Sequence, residues 1–252
     1  MKQVANKDAV LRIGPDEKWI NEADVSQQTN ESDGYALEEA LRMKEAKGEG
    51  EVVVCSLGPQ SAKAVIKDAL ARGADRAIHV VYDQPNKLSP YQIAKAIADA
   101  IRDENADLVF TGLQSDDASY GQTGVILAEL LGIPHATIVI EVDRGSLGES
   151  LRVKRELESG WYQWFNYKLP ALLTIQSGIS QIRYASLKGI MAAKKKEIRD
   201  VPAAIEDFAG AQTIQKVYMP LKTKQTQMLG NGDARAAAVE LVEKLKSEVR
   251  VI

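Results

Sequence analysis

Glycines, carboxylates and hydroxyl groups are concentrated in residues 112–124, which read GLQSDDASYGQTG. The three glycines allow a ligand to approach the backbone closely, and Asp116 and Asp117 are suited to accept hydrogen bonds from ribose hydroxyls. Thr123 supplies a hydroxyl beside a predicted helix start, where free N–H groups favour a phosphate. These residues predict a nucleotide site at the end of a strand; an ordinary helix-capping loop is the alternative. The loop lacks GxxxxGK[ST] and GxGxxG, which argues against P-loop phosphoryl transfer and a dinucleotide fingerprint.

A second candidate for function lies in residues 169–196, LPALLTIQSGISQIRYASLKGIMAAKKK. A buried strand is predicted at 171–175, followed by a polar loop, an apolar tip around Leu187 and a basic run at 194–196. No nucleophile–base pair is present, so the segment is a poor enzyme site. It is suited to docking, with Leu187 as apolar anchor and the lysines attracting an acidic partner. The alternative is a surface loop with a solvated charge run.

Composition narrows the function classes further. The net charge of −3 and the aromatic content of 6% argue against nucleic-acid binding. One cysteine, Cys55, allows no intrachain disulfide, and with only two histidines a metal site of the usual Cys/His kind is not expected. No apolar run approaches the roughly 20 residues of a membrane span, and no signal peptide is visible. A soluble, cytoplasmic protein of a reducing compartment is predicted.

The elements that must position these residues alternate along the chain. Apolar runs predict strands at residues 51–56, 77–81, 107–111, 136–142 and 171–175. Amphipathic periodicity and capping residues predict helices at 35–47, 61–72, 90–102, 125–131 and 234–249. Alternation at 151–156 and 161–167 predicts antiparallel strands. The expected fold is α/β, a mostly parallel doubly wound sheet flanked by helices.

The end of the chain differs in character. Residues 197–232 have weak periodicity and recurrent prolines and glycines, which predicts an extended arm lying on another protein rather than part of a compact core. Two domains are therefore expected, an α/β nucleotide-binding domain at 1–196 and an arm with a terminal helix at 197–252.

Several segments together resemble the electron transfer flavoprotein β subunit. They are residues 169–196 and the segments KQVANKDAV, ALEEALRMKE, GADRAIHV and GLQSDDASYGQTG. The resemblance implies an adenine-nucleotide α-hydrolase-like fold and an FAD-carrying α subunit as partner, on which the C-terminal arm packs. It implies an electron carrier rather than an enzyme, which takes electrons from acyl-CoA or related dehydrogenases, as in fatty acid oxidation, and passes them to a quinone oxidoreductase. The β subunit of this family holds a structural AMP, or a second FAD in electron-bifurcating members.

The resemblance also implies site residues. The implied nucleotide contacts are Asn30, Glu31, Ser32, Asp33, Leu57, Gln114, Ser115, Asp116, Asp117, Ala118, Ser119, Tyr120, Gly121, Gln122, Thr123, Gly124 and Val125. The implied docking residues are Arg183, Tyr184, Leu187, Ile190 and Met191. The loop departs from the Asp-Gly-Asp-Thr type of bifurcating members, which favours AMP over a second FAD.

The family carries a short hydrophobic strand before the counterpart of the Lys-Gln-Val at residues 2–4. No such run precedes Lys2 here, which predicts a natural start upstream of Met1. Three alternatives remain open beside the AMP-holding subunit: a bifurcating subunit with a second FAD, a stand-alone regulatory nucleotide-binding module, and a nucleotide-hydrolysing or adenylating enzyme. The last needs a phosphate-gripping SGG-type loop or a P-loop, which this sequence lacks.

Overall fold

The computed structural model describes residues 1–206, 212–221 and 226–251. The chain divides into two compact units, Met1–Val217 and Tyr218–Ile252. The strands are β1 (Gln3–Ala5), β2 (Gln27–Thr29), β3 (Val53–Gly58), β4 (Arg76–Val81), β5 (Leu108–Gly112), β6 (His135–Asp143), β7 (Ser150–Glu156), β8 (Tyr162–Lys168), β9 (Ala171–Ile175) and β10 (Ile198–Pro202). The helices are α1 (Glu31–Lys47), α2 (Lys63–Arg72), α3 (Pro90–Ile101), α4 (Thr123–Leu131), α5 (Leu187–Ala193) and α6 (Ala234–Lys244), the last followed by a π-helical turn, Leu245–Val249.

The strands of the first unit form three sheets. One is parallel in the order β10-β4-β3, and another runs β5-β9-β6-β7-β8, parallel through β6 and antiparallel at β7 and β8. The short strands β1 and β2 pair by themselves. The expected α/β fold with parallel strands, flanking helices and antiparallel strands is confirmed. The division of the parallel strands between two sheets was not expected.

Helices cover both faces of the larger sheet. Leu172 of β9 packs with Ala94 and Ala98 of α3. Leu173, the next residue and therefore on the opposite face, packs with Ala36 of α1. All five β9 residues are buried. A continuous apolar strand is stable here because each face is covered by an apolar helix stripe.

The helix boundaries follow their capping residues, with one correction. Ser89 and Gln92 form a capping box at the start of α3, and Gly48 ends α1 in the left-handed region at φ 75°. The expected helix start at residue 35 is wrong, because α1 begins at Glu31. Asn30 takes the N-cap position, and the carboxylates of Glu31 and Asp33 suit the positive end of the helix dipole.

The C-terminal region also differs from the expected arm. β10 follows residue 196 directly and pairs in parallel with β4, because Ile198 and Val201 pack into apolar clusters of the first unit. The first unit therefore ends at Val217 rather than at 196. In the second unit, Asp233 caps α6 by accepting hydrogen bonds from two first-turn amides. Residues 207–211, 222–225 and 252 of the expected arm lie outside the described residues.

None of the helices in the described part of the chain is long and apolar enough to cross a bilayer.

Candidate functional site

A cavity of about 800 Å³ lies against β3 and β5 and includes the carboxyl ends of both strands. Ligands bind at this edge in open α/β sheets. Of the expected nucleotide contacts, those that line the cavity are Asn30, Asp33, Leu57, Gln114, Ser115, Asp117, Ala118, Tyr120, Gly121, Gln122, Thr123 and Gly124. Those outside its lining are Glu31, Ser32, Asp116, Ser119 and Val125.

Asn30 joins the start of α1 to the loop that follows β5. Its side chain is almost fully buried, and its amide nitrogen donates to the backbone oxygen of Gln114 at 3.0 Å. Its side-chain oxygen accepts from the backbone nitrogen of Asp116 at 2.9 Å. Ser32 Oγ donates to the same Gln114 oxygen at 2.7 Å. The structure thus brings together two segments that are more than 80 residues apart in sequence.

Asp33 makes a second connection at the same edge. One carboxylate oxygen accepts from the backbone nitrogen of Gly112 at 2.9 Å, and the other accepts from the backbone nitrogen of Lys2 at 2.7 Å. A Cβ atom at Gly112 would lie only 2.2 Å from Ser32 Oγ. A side chain at residue 112 would collide with Ser32, because α1 begins against the end of β5. This glycine therefore allows two backbone segments of the chain to pack closely.

The two acids expected at the ribose are engaged within the protein. Asp116 Oδ2 accepts from the backbone nitrogen of Glu31 at 3.1 Å. Asp117 Oδ1 accepts from Lys2 Nζ at 2.6 Å and from the backbone nitrogen of Ala118 at 2.7 Å. Both carboxylates therefore shape the loop, a role that the sequence did not predict.

The start of α4 offers an anion site at the polar end of the cavity. Gln122 occupies the N-cap position without a side-chain capping bond, so the first amides of α4 are not satisfied by that side chain. Lys2 Nζ lies 3.3 Å from Ser115 Oγ in the same loop and supplies a positive charge. Sequence reasoning missed Lys2, because backbone hydrogen bonds with Asn30 and Asp33, distant in sequence, hold this residue beside the loop.

Gly124 lies where α4 approaches the sheet closely. A Cβ atom there would lie 2.6 Å from Thr111 Oγ1 of β5 and 2.8 Å from Thr174 Cγ2 of β9. Gly124 therefore allows a close approach between α4 and the sheet, and its expected contact with a nucleotide stays a prediction. Thr111 Oγ1 is buried and has no hydrogen-bond partner within the described residues.

The expected docking segment is tied to α1 by Arg183. Its guanidinium donates to Glu38 Oε2 at 2.9 Å and to Glu45 Oε1 at 2.5 Å. Burial raises the pKa of Glu38, but hydrogen bonds from Arg183 and Arg42 outweigh it and hold that pKa below the ordinary value. The hydrogen bond from Arg183 likewise lowers the pKa of Glu45. Arg183 therefore holds the segment against α1, and its expected docking contact stays a prediction.

Of the other expected docking residues, Leu187, Ile190 and Met191 lie on α5, which was expected to be a loop tip, and Tyr184 lies in the loop before it. Ser186 Oγ caps this helix by accepting from the backbone nitrogen of Gly189 at 3.0 Å. A Cβ atom at Gly189 would lie 2.1 Å from the Ala71 oxygen, so α5 sits directly on the end of α2. The side chains that remain exposed are Tyr184 (93%), Leu187 (84%), Met191 (62%) and Ile190 (45%). An apolar patch on a firmly held helix is typical of an interaction site.

The basic run beside α5 is only partly free. Lys196 Nζ donates to the backbone oxygens of Leu70 at 3.0 Å and Ala74 at 2.5 Å. It thereby satisfies carbonyls at the C-terminal end of α2. Lys194 and Lys195 are exposed, so the expected attraction of an acidic partner rests on these two residues.

The sequence matches a family model described as electron transfer flavoprotein domain over residues 18–206. Electron transfer flavoprotein subunit beta of Methylophilus methylotrophus is 34% identical over 256 residues, which cover 98% of this chain and 97% of that protein. The mitochondrial subunit beta of Arabidopsis thaliana is 35% identical over 254 residues, covering 100% and 98%. The subunit beta of Mus musculus is 34% identical over 253 residues, covering 100% and 96%. Asn30, the loop after β5 and α5 all lie inside the matched region.

Proposed function

The chain belongs to the electron transfer flavoprotein family, as a β subunit with a role in electron transfer, and from this premise we propose that it holds a structural AMP and docks a dehydrogenase. An FAD-carrying α subunit would be its permanent partner. Electrons would enter from an acyl-CoA or related dehydrogenase and leave to a quinone oxidoreductase. The flavin, when bound, supplies the redox chemistry, and this chain's own residues position partners and nucleotide.

The residues at the cavity's polar end fit an adenosine monophosphate. Free amides at the start of α4 and the ammonium of Lys2 suit a phosphate. The buried hydroxyl of Thr111, beside the first turn of α4, has no partner among the described residues. Asn30 and Asp33 fix the loop that would enclose the nucleotide. This convergence of free donors and one cation is the observation that supports AMP.

Two exposed surfaces suit the α subunit. β8 is an edge strand that exposes aromatic side chains, Tyr162 and Trp164 within it and Trp161 directly before it. In the second unit, α6 exposes Val239, Leu241 and Val242. Aromatic and aliphatic clusters of this kind are enriched in stable interfaces. The packing of the C-terminal segment on the α subunit therefore stays part of the proposal.

The dehydrogenase would bind the patch on α5. Leu187 is the central anchor, since it projects from a helix that Ser186 caps and that packs directly on the end of α2. Arg183 holds the preceding loop, so little ordering cost remains on binding. A small docking site leaves the rest of the complex free to present the flavin.

The test is to purify the chain with its co-expressed α subunit, denature the dimer and quantify released nucleotides by chromatography. One FAD and one AMP per dimer is the expected result. Two FAD and no AMP would replace the AMP by a second redox cofactor and favour the bifurcating alternative. A chain that stays monomeric in the presence of the α subunit would favour the stand-alone nucleotide-binding module. The cytoplasmic location stays a prediction.

A further inference from the structure

Helix α1 carries two buried glutamates in succession, and each is paired with an arginine. Glu38 Oε2 lies 2.9 Å from Arg183 Nε, and Glu39 Oε2 lies 2.6 Å from Arg144 Nη2. Both carboxylates are almost fully buried, and the two arginines are comparably exposed. The first arginine directly precedes the apolar patch on α5, whereas the second lies in the turn between β6 and β7. The pairs therefore match in charge and burial and differ in the segment that each one holds.

The carboxylate of Glu38 receives hydrogen bonds from both the backbone and the side chain of Arg183. Oε2 accepts from the Arg183 backbone nitrogen at 3.1 Å and from its Nε at 2.9 Å. Oε1 accepts from Arg183 Nη2 at 3.1 Å and from Arg42 Nε at 2.7 Å. Because one of these bonds is to the backbone, Glu38 fixes the path of the chain at residue 183 as well as the position of the guanidinium.

Residues 181–183 lie along a single face of α1. Arg42 Nη2 donates to the backbone oxygen of Gln181 at 2.8 Å. Ile182 lies against Gly34, since a Cβ atom at this glycine would be 3.3 Å from Ile182 Cδ1. The four residues of α1 that contact the stretch share one helix face, at spacings of three or four: Gly34, Glu38, Arg42 and Glu45.

The apolar patch begins at the next residue of the chain. Tyr184 is exposed, and Leu187 follows three positions later as the first residue of α5. Gly189 packs on the end of α2, so one side of α5 is fixed there. On the other side, Glu38 fixes the chain just before Tyr184. The direction in which the chain enters α5 therefore depends on this carboxylate.

We propose that Glu38 is a positioning residue for docking of the dehydrogenase, and that it acts through Arg183 on the apolar patch. The inference rests on the proposed docking function of α5. A neutral side chain at residue 38 leaves Arg42 and Arg183 without the carboxylate that they share, and two like charges then face each other. The chain before Leu187 loses its fixed course, and the cost of ordering it falls on the binding step.

The first experiment compares Glu38→Gln with Glu39→Gln, each in the dimer co-expressed with the α subunit. Both replacements remove a buried charge from α1 and leave an arginine behind, so both should lower Tm. Glu38→Gln is expected to raise the KM for the electron transfer flavoprotein in the dehydrogenase assay by about fivefold or more, with unchanged kcat. Glu39→Gln is expected to keep the wild-type KM. Glu38→Asp restores a carboxylate and should recover part of the loss. The same KM in Glu38→Gln and Glu39→Gln would overturn the proposal.

The second experiment weakens the same arrangement from the surface. Arg42→Gln removes a partly exposed cation that pairs with Glu38 at (i, i+4) spacing, and it leaves the bonds from Arg183 in place. Amide hydrogen exchange in residues 181–193 of the free dimer should become at least about threefold faster. Lys95→Gln removes a partly exposed cation from another (i, i+4) pair, with Asp99, and is the matched control. Equal exchange in the two variants would contradict a positioning role for this arrangement.

Leu187→Ala distinguishes failure of this inference from failure of the proposed function. A wild-type KM in Leu187→Ala would overturn the docking function of α5 and the role of Glu38 together. A raised KM in Leu187→Ala beside a wild-type KM in Glu38→Gln would overturn the positioning role alone. A raised KM in both variants, with the wild-type value in Glu39→Gln, is the expected result.

Discussion

The side-chain oxygen of Asn30 accepts a hydrogen bond from the backbone nitrogen of Asp116 at 2.9 Å, across 86 positions of sequence. The amide nitrogen of the same side chain donates to the Gln114 oxygen. One buried side chain thus uses a donor and an acceptor to fix the loop after β5 against α1. The shape of the candidate nucleotide site depends on this pair of bonds.

We therefore expect Asn30→Ala to reduce the AMP content of the purified dimer. It leaves buried backbone groups unpaired, which costs about 1–3 kcal/mol in the free energy of unfolding. Asn30→Asp keeps the acceptor and loses the donor, so it should be intermediate in AMP content. Gln84→Ala, at an exposed position, is the control. Full AMP occupancy in Asn30→Ala, measured by chromatography after denaturation, would contradict this placement.

Gly124→Ala tests the contact between α4 and the sheet. The added methyl would lie 2.6 Å from Thr111 Oγ1 and 2.8 Å from Thr174 Cγ2, so α4 must move outward. Overpacking of this kind costs about 1–3 kcal/mol, and the displaced helix start should bind phosphate less well. The measurements are chemical denaturation and AMP content. Gly148→Ala, whose Cβ atom meets nothing within 4 Å, should resemble the wild type; a Gly124→Ala protein with wild-type stability would show that the contact is unimportant.

The local sequence predicted the strands and helices well because their signals are local. Residues 171–175 form a continuous apolar run after Pro170, and β9 begins and ends at those positions. Residues 112–124 combine glycines, acids and hydroxyls, and they lie at the cavity. Sheet membership was harder to predict because it depends on distant partners. β10 has only two apolar residues that face the core, Ile198 and Val201, and it pairs with a strand about 120 positions earlier.

Site details that depend on tertiary contacts also could not be predicted from the sequence. Lys2 reaches the nucleotide loop only through the fold. Arg183 is expected to be a docking residue, yet its guanidinium donates hydrogen bonds to Glu38 and Glu45. A charged side chain in a loop has no local signal that distinguishes an internal ion pair from a solvent-exposed contact.

Arg183→Gln tests the connection between the docking segment and α1 through its pH dependence. Hydrogen bonds from Arg183 help to lower the pKa values of Glu38 and Glu45 below 4.5. A carboxylate whose pKa is lower in the folded than in the unfolded state stabilises the folded state above pH 4.5. This contribution is lost as the pH falls through the folded-state pKa. The variant should thus be less stable than wild type at pH 7, by about 1–2 kcal/mol, and the difference should shrink below pH 4.

The measurement is urea denaturation at a series of pH values between 3 and 8. Lys47→Gln, which removes a longer and exposed ion pair with Glu49 at 3.7 Å, is the matched control and should change stability little at any pH. A stability loss in Arg183→Gln that is equally large at pH 3 and pH 7 would show that the pair with Glu38 and Glu45 is not its cause.

Leu187→Ala separates docking from folding. Leu187 is 84% exposed, so its truncation removes little from the folded core and should leave Tm and FAD content unchanged. If it anchors the dehydrogenase, the loss should exceed about 1.4 kcal/mol of binding free energy, which is a tenfold rise in KM for the electron transfer flavoprotein in the dehydrogenase assay. Val10→Ala truncates a similarly exposed apolar side chain, at 81%, and should leave KM unchanged. Equal KM values for the two variants would show that Leu187 is not part of the docking site, because each variant truncates an apolar side chain of similar exposure.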